Sequence, residues 1–456
     1  MKNSKSVDLG KDPVRKLFFM LSIPAIASQV VNALYNMVDR MYIGHIHEVG
    51  ATALTGVGIC FPVVMIIAAF SQLIGSGGAP RASILMGRED KEGAENILGN
   101  CFSALFISSI VITISVILFQ NPILKAFGAS ANTLPFARDY MFIYSLGTIF
   151  VMMTLGMNTF ISAQGFSKIS MLTVVIGAIT NIILDPILIF GLNLGVKGAA
   201  LATVLSQAVS CFWVLSFLCG KKTTLHIQKK YMHIQKDVFL PCAALGVAPF
   251  IMQSTESLII LCFNSSLLKY GGDAAVGAMT ILGSVMQFAL LPVNGFTQGA
   301  QPIVSFNYGA KNPDRMKEAF KLLLTCCFSY TFVMWSLCML FPRFFVSIFT
   351  NDAQLMQISA WALRIYMAGS VMMGIQMACQ QTFIALGNAK TSTFLALYRK
   401  ILILIPLIYI LPLFFANKVF AVFLAEPIAD VVAVLTTMCL FFRFFTRLLR
   451  NLEKEC

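Results

Sequence analysis

Charge is scarce in this 456-residue chain: Asp, Glu, Lys and Arg make up 12% of it, against 58% hydrophobic residues. That is too little to hydrate a soluble protein of this length, and a mean hydropathy of +0.81 excludes an ordinary water-soluble globule. Histidine numbers only four, and the one close pair, His45 and His47, stands alone in a loop and reads as solvated. No phosphate loop, nucleophile triad or metal-ligand cluster is spelled out, so an enzyme is not expected. The twelve cysteines show no CxxC spacing and read as soft apolar filler in helices rather than disulfides or a metal centre. The polar opening MKNSKSVDLG is followed by an apolar run without a small-residue cleavage pattern, so no removable signal peptide is expected.

What the chain has in abundance is long apolar runs. A bilayer core about 30 Å thick needs roughly 20 apolar residues per helical span. Twelve such runs fall near 17–43, 51–74, 96–119, 136–161, 168–190, 196–219, 239–266, 276–299, 318–341, 358–385, 393–415 and 418–442. The expected fold is an all-α polytopic membrane protein with 12 transmembrane helices. The net charge of +13 could suggest nucleic acid, but its placement argues otherwise. With the N-terminus inside, 25 of the 33 Lys and Arg fall on inside segments, Arg399 and Lys400 among them, and 8 fall outside. This is a positive-inside pattern with both termini cytoplasmic, and its expected partner is anionic lipid rather than nucleic acid.

The halves repeat at an offset of 222 residues. Gly77-Gly78-Ala79-Pro80 recurs as Gly299-Ala300-Gln301-Pro302, Gly87 as Gly309, Tyr144 and Gly147 as Tyr366 and Gly369, and Ala163-Gln-Gly165 as Ala385-Leu-Gly387. Six spans per half make parallel repeats about an axis along the membrane normal. The expected parts are a cytoplasmic tail over 1–16, an N-lobe over 17–220, a basic linker over 221–237, a C-lobe over 238–442 and a tail over 443–456, forming two pseudo-symmetric six-helix bundles. By architectural analogy, two lobes around a central cleft suggest an alternating-access transporter.

Of 20 carboxylates, only Asp39, Asp185, Glu256, Glu426 and Asp430 fall inside expected spans. Each costs several kcal/mol there, so each is a functional candidate. Asn32, Tyr35, Asn36 and Asp39 are spaced i, i+3, i+4, i+7 and form one polar stripe on the first helix. Asn181 and Asp185 share a face of the fifth, and Thr203 stands near the start of the sixth. At about 1.5 Å rise per residue, Asp39, Asp185 and Thr203 lie at a similar depth, roughly 8 to 11 Å below the outer surface. Such an all-oxygen cluster suits H+ or Na+. Pro24 and Pro186 are candidate hinges, since proline removes a helix hydrogen bond. In the second half Glu256 reads either as a second cation site or as a counter-charge for a cationic substrate, beside Gln253, with Gln376, Gln380 and Gln381 on the tenth span. Glu426 and Asp430, four residues apart, suggest interhelical bonding. Methionines in spans, Met152, Met286 and Met377 among them, are candidates for an adaptable cleft lining.

Together these residues resemble the multidrug and toxin extrusion (MATE) family, in its DinF and MepA-like bacterial branch. The resemblance rests on Asn36-Met-Val-Asp39-Arg, the Gly-rich span ends at Gly77 and Gly299, Ala163-Gln-Gly165, Asn181-Ile-Ile-Leu-Asp185-Pro186, Gly198-Ala-Ala-Leu-Ala-Thr203 and Glu426-Pro-Ile-Ala-Asp430, and covers residues 12 to 450. It implies an exporter of cationic amphipathic small molecules in the bacterial plasma membrane, working as a monomer by antiport with H+ or Na+ and without other cofactors. It also implies a cation-coupling site at Asp39, Asn181, Asp185 and Thr203. Asn32 departs from the family's Gln at its position, and the tenth span lacks the acid found in NorM-type members. The nearest alternative is a lipid-linked oligosaccharide flippase, which would line its cleft with Arg or Lys; the spans read as nearly free of interior basic residues.

Overall fold

The structure, a computed structural model, describes residues 8–46 and 49–455, without the side chains of Ala51 and Glu455; His47 of the histidine pair lies outside the described residues. In hydrocarbon every backbone N–H and C=O needs an internal partner, which leaves helices as the solution for runs this apolar. The described residues hold helices and no strand. Span 1 is Val14–Gly44, span 2 Gly50–Gly87 and span 3 Lys91–Leu118. Span 4 is a bent pair, Leu134–Leu146 with Thr148–Ala163, turned by 56° at Gly147. Span 5 is Ser167–Gly191 and span 6 Val196–Leu218. The 74-residue helix Lys236–Gly309 breaks at Gly272, whose φ of 64° and ψ of −163° are not helical, and so supplies spans 7 and 8. Span 9 is Pro313–Leu340 and span 10 the pair Ala353–Tyr366 with Ser370–Ala385, bent by 48°. Spans 11 and 12 are Ala389–Phe414 and Lys418–Lys454. Twelve helical spans result, and span 12 runs on through residues expected to be a separate tail from 443.

The repeat is visible in backbone detail. Asp90 and Asn312, 222 residues apart, each cap a helix by accepting from the N–H three residues on. The residues before them, Glu89 and Lys311, both take positive φ, 62° and 53°. Gly165 and Gly387 end corresponding helices with φ of 86° and 74°, the left-handed stop that glycine adopts without strain.

Three apolar cores form. One joins spans 2 to 6 through residues such as Leu98, Met152, Met157 and Phe160. A second joins Phe263, Leu282, Met286 and Phe423 of the other half. The third draws Leu17, Phe18 and Leu21 of span 1 in among Val293, Ile303, Phe383 and Phe441. The start of span 1 therefore packs with the C-terminal half, while Cys242 at the start of span 7 packs with the N-terminal half. The halves cross over at this end and meet through glycines. A Cβ on Gly87 would strike the Phe306 carbonyl, and one on Gly309 would strike the Ile84 carbonyl. Ile84 and Phe306 are themselves 222 residues apart, so the seal is two-fold symmetric. Bare backbone against backbone is the contact small residues allow between helices in lipid, where no hydrophobic force drives association.

The linker is tied to the N-terminal half at the same end. Gln164 Oε1 accepts from the Thr223 hydroxyl and from the Thr224 and Leu225 amides at 2.8, 2.9 and 2.8 Å. Glu92 accepts from the Tyr231 hydroxyl and from Lys230 Nζ.

Candidate functional site

Beyond the glycine seal the two halves part around a cavity of about 970 Å³. Spans 2 and 8 build its floor with matching ladders: Gln72, Ser76 and Ser83 face Asn294, Gln298 and Ser305, each pair 222 residues apart. It reaches from Ser83 and Ser305 near the seal to Arg40 and Leu54 at the other end. Amides and hydroxyls stud a wall that is otherwise apolar, with Gln29, Asn158 and Gln207 from the N-terminal half and Gln253, Gln301 and Gln381 from the C-terminal half. Sequence reasoning passed over most of these amides. The signal was available on span 8, where Asn294, Gln298, Gln301 and Ser305 recur at helical spacing. Among the described residues the lining holds a single acid, Asp39, and a single basic residue, Arg40.

Asn32, Tyr35, Asn36 and Asp39 all line the cavity, as the stripe on span 1 predicts. Asn36 Nδ2 is held by the Asn32 carbonyl at 2.6 Å. Span 5 stands behind span 1 and presents Asn181 and Asp185, both fully buried. The Asp39 and Asp185 carboxyls lie within hydrogen-bonding reach of each other. Asn181 Nδ2 points at Asp185 Oδ1 from 3.4 Å, a long contact. No donor among the described residues reaches Asp39 Oδ1 or Asp185 Oδ2. Thr203 also lines the cavity, its hydroxyl donating to the Ala199 carbonyl at 3.0 Å and lying beside the Tyr140 hydroxyl. Tyr140 and Tyr144 stack at 6.0 Å against this corner. Two carboxyls and an amide, with bare acceptor oxygens turned inward, make a pocket for a positive charge.

Pro186 follows Asp185 directly, and the α-helix gives way there to a π-helical turn over Ile187–Gly191. The missing N–H of proline explains why the regular ladder cannot continue. Pro24 lies inside an unbroken helix, its carbonyl accepting from the Ser28 hydroxyl at 3.1 Å.

Several expectations are corrected. Met152 and Met286 are buried in the cores of the two halves and do not reach the cavity, because each sits on the helix face turned to its own bundle. The methionines on the cavity wall are Met65, Met252 and Met377, so the lining is amide-rich rather than methionine-rich. Gln376 and Gln380 are buried beside a separate small cavity, and Gln380 Nε2 donates to the Ser392 carbonyl at 2.9 Å. Gln253 does line the main cavity, donating to Met65 Sδ at 3.0 Å. Glu256 is absent from that lining and pairs with Lys400. The largest departure concerns Arg399 and Lys400. Placed by sequence at the cytoplasmic edge, they lie inside the bundle, 14% and 8% exposed at their side chains. They occupy a π-helical segment, Tyr398–Leu404, within span 11.

Comparison with known proteins agrees with the architecture. The MatE family model matches residues 24–187 and 249–410, one match in each half. The chain belongs to the MatE family. Among curated relatives of this MatE chain, the multidrug export protein MepA of Staphylococcus haemolyticus (strain JCSC1435) is 26% identical over 439 residues, covering 95% of each chain. MepA of Staphylococcus aureus (strain NCTC 8325 / PS 47) is 24% identical over 438 residues, covering 95% of this chain and 96% of its own. A crystal structure of MATE in the bent conformation superimposes with a TM-score of 0.92 at 24% identity, covering 99% of this chain and all of the other. The MatE fold is thereby shared, and with it the twelve-helix arrangement.

Proposed function

We propose that this protein is a secondary active exporter of organic cations in a bacterial plasma membrane, returning H+ or Na+ through the Asp39–Asp185 site. One observation carries the reading: carboxyls from two helices face each other, Asp185 fully buried and Asp39 half-buried, each with one buried oxygen that no donor among the described residues reaches, and Asp39 also forms the cavity wall. Like charges so placed repel and are poorly solvated, so the pair favours taking up a proton or a small cation. A cationic substrate in the cavity neutralises Asp39 just as the coupling ion does. The two therefore compete, and each biases a different state of the bundle. The multidrug export role of the MepA relatives supports drug-like substrates, and if the basic end is taken as inside, the glycine seal supports reading the described state as outward-open.

A lipid-linked oligosaccharide flippase fits less well. Arg399 and Lys400 overturn the expectation that the spans lack interior basic residues, yet both are paired with acids and neither lines the main cavity. Arg40 alone could face a pyrophosphate there.

Ethidium efflux from proteoliposomes under separately imposed H+ and Na+ gradients tests the proposal. Wild type should respond to one gradient, and Asp39→Asn and Asp185→Asn should each lose the response by at least ~10-fold, the worth of about 1.4 kcal/mol. Gradient-driven efflux unchanged in both variants would remove the site from the mechanism.

A further inference from the structure

Five charged side chains gather in the C-terminal half, apart from the Asp39 site. Arg399 and Lys400 come from span 11, Glu256 from span 7, and Glu426 and Asp430 from span 12. Arg399 Nε and Nη2 both donate to Asp430 Oδ1, at 2.9 and 2.6 Å, and Nη2 also donates to Glu426 Oε1 at 2.9 Å. Lys400 Nζ donates to Glu256 Oε2 and to the Met252 carbonyl. Two cations thus face three carboxyls, leaving one negative charge over. The surplus has a location. Among the described residues Glu426 Oε2 and Asp430 Oδ2 are buried without a hydrogen-bond partner, on residues only 5% and 0% exposed. Span 10 adds no compensating cation here; its Tyr366, a neutral phenol, stands near Glu426, Glu256 and Asp430.

We propose that this cluster is a second proton-binding site, in which Glu426 and Asp430 share one proton while Arg399 grips their other oxygens. With the proton bound, two cations face two net anions and the cluster is neutral. When the proton leaves, an uncompensated charge remains in the bilayer interior, which is unfavourable unless the helices move to admit water. The pair i, i+4 on one helix face brings the two bare oxygens to the same side. Behind Arg399 and Lys400 lies a cavity of about 20 Å³, also lined by Gln376 and Gln380, with room for one water. Next to it the Glu256 side chain is 58% exposed while its partner Lys400 is 8% exposed. The site also touches a joint. A Cβ on Gly369, at the bend of span 10, would sit 2.9 Å from Pro427 Cα and 3.0 Å from Asp430 Cβ. Charge at Asp430 therefore acts on the bend itself.

The inference stands independently of the Asp39–Asp185 reading, and its test needs no transport. Full-length protein in lipid nanodiscs is titrated by infrared difference spectroscopy, following the protonated-carboxyl stretch and its shift in D2O. Wild type and the Asp39→Asn/Asp185→Asn variant should both show a titrating band from the cluster. That band should be lost in Glu426→Gln and in Asp430→Asn, and shifted but retained in Glu426→Asp. A spectrum unchanged by both Glu426→Gln and Asp430→Asn overturns the proposal, as does loss of the band on adding Na+ at constant pH, which assigns the cluster to a metal cation. Size-exclusion profiles select the folded variants, and either amide variant alone suffices for the decision.

Discussion

At the scale of single residues, the legible and the illegible parts of the sites differ for a physical reason. Asp39, Asn181, Asp185 and Thr203 were readable because a carboxylate inside an apolar run has no innocent explanation, and helical spacing alone puts each on a defined face. Arg399 and Lys400 were misread because lysine and arginine near a helix end ordinarily reach back to the headgroups. Yet both sit ten or more residues into span 11, which starts at Ala389. The clue lay elsewhere in the chain: Glu256, Glu426 and Asp430 are three buried-span acids that need cations, and Arg399 and Lys400 were the pair available to them. Among the described residues Arg399 is the sole side-chain donor to Glu426 and Asp430, so its removal strands two carboxyls. Arg399→Gln should lower stability by about 3–5 kcal/mol, the usual loss when one partner of a buried ion pair is deleted. Adding Asp430→Asn in the same chain should recover most of that loss. Thermal unfolding of the single and double variants in one detergent decides the matter, and additive losses would count against the pairing.

At the scale of helices, hydrophobic runs located all twelve spans, but periodicity could not show where the helices break. A π-helical turn inserts a single residue into a ladder, too little to disturb a pattern read over four or five turns. The turn after Pro186 and the segment Tyr398–Leu404 were therefore invisible, although proline marked the first. Pro186→Ala restores the N–H that can bond to the Ile182 carbonyl, removing the reason for the turn beside Asp185. Gradient-driven efflux should fall several-fold while thermal stability holds or rises; full efflux would leave the turn without a role. The break at Gly272 offers a second element-level test. Its φ of 64° and ψ of −163° lie in a region that is essentially glycine's alone. Gly272→Ala should cost about 1–3 kcal/mol in thermal unfolding. Gly283 lies inside span 8 with open space where a Cβ would go, so Gly283→Ala should be neutral or slightly stabilising.

At the scale of the whole molecule, the 222-residue repeat announced two equivalent halves, but not that they would exchange their first helices at one end. That exchange follows from the glycines. Gly87 and Gly309, with Gly246 against the Leu73 carbonyl, let spans 2, 7 and 8 approach until backbone touches backbone. No rotamer can relieve a clash with a carbonyl, so a methyl group at any of these positions must push the helices apart. In the proposed cycle only the state in which this end is sealed needs the contact, since opening this end separates the same surfaces. Gly87→Ala and Gly309→Ala should therefore destabilise the state sealed at this end specifically, by an amount that grows when the two are combined. A pair of spin labels bridging the halves at this end, on Arg88 and Lys311, reports the seal as a short distance. The short-distance population should shrink in each single variant and largely vanish in the double, with the overall helical content unchanged. Because the two contacts are related by the pseudo-two-fold, the single variants should shift the population equally; a marked inequality would mean that one half alone sets the gate.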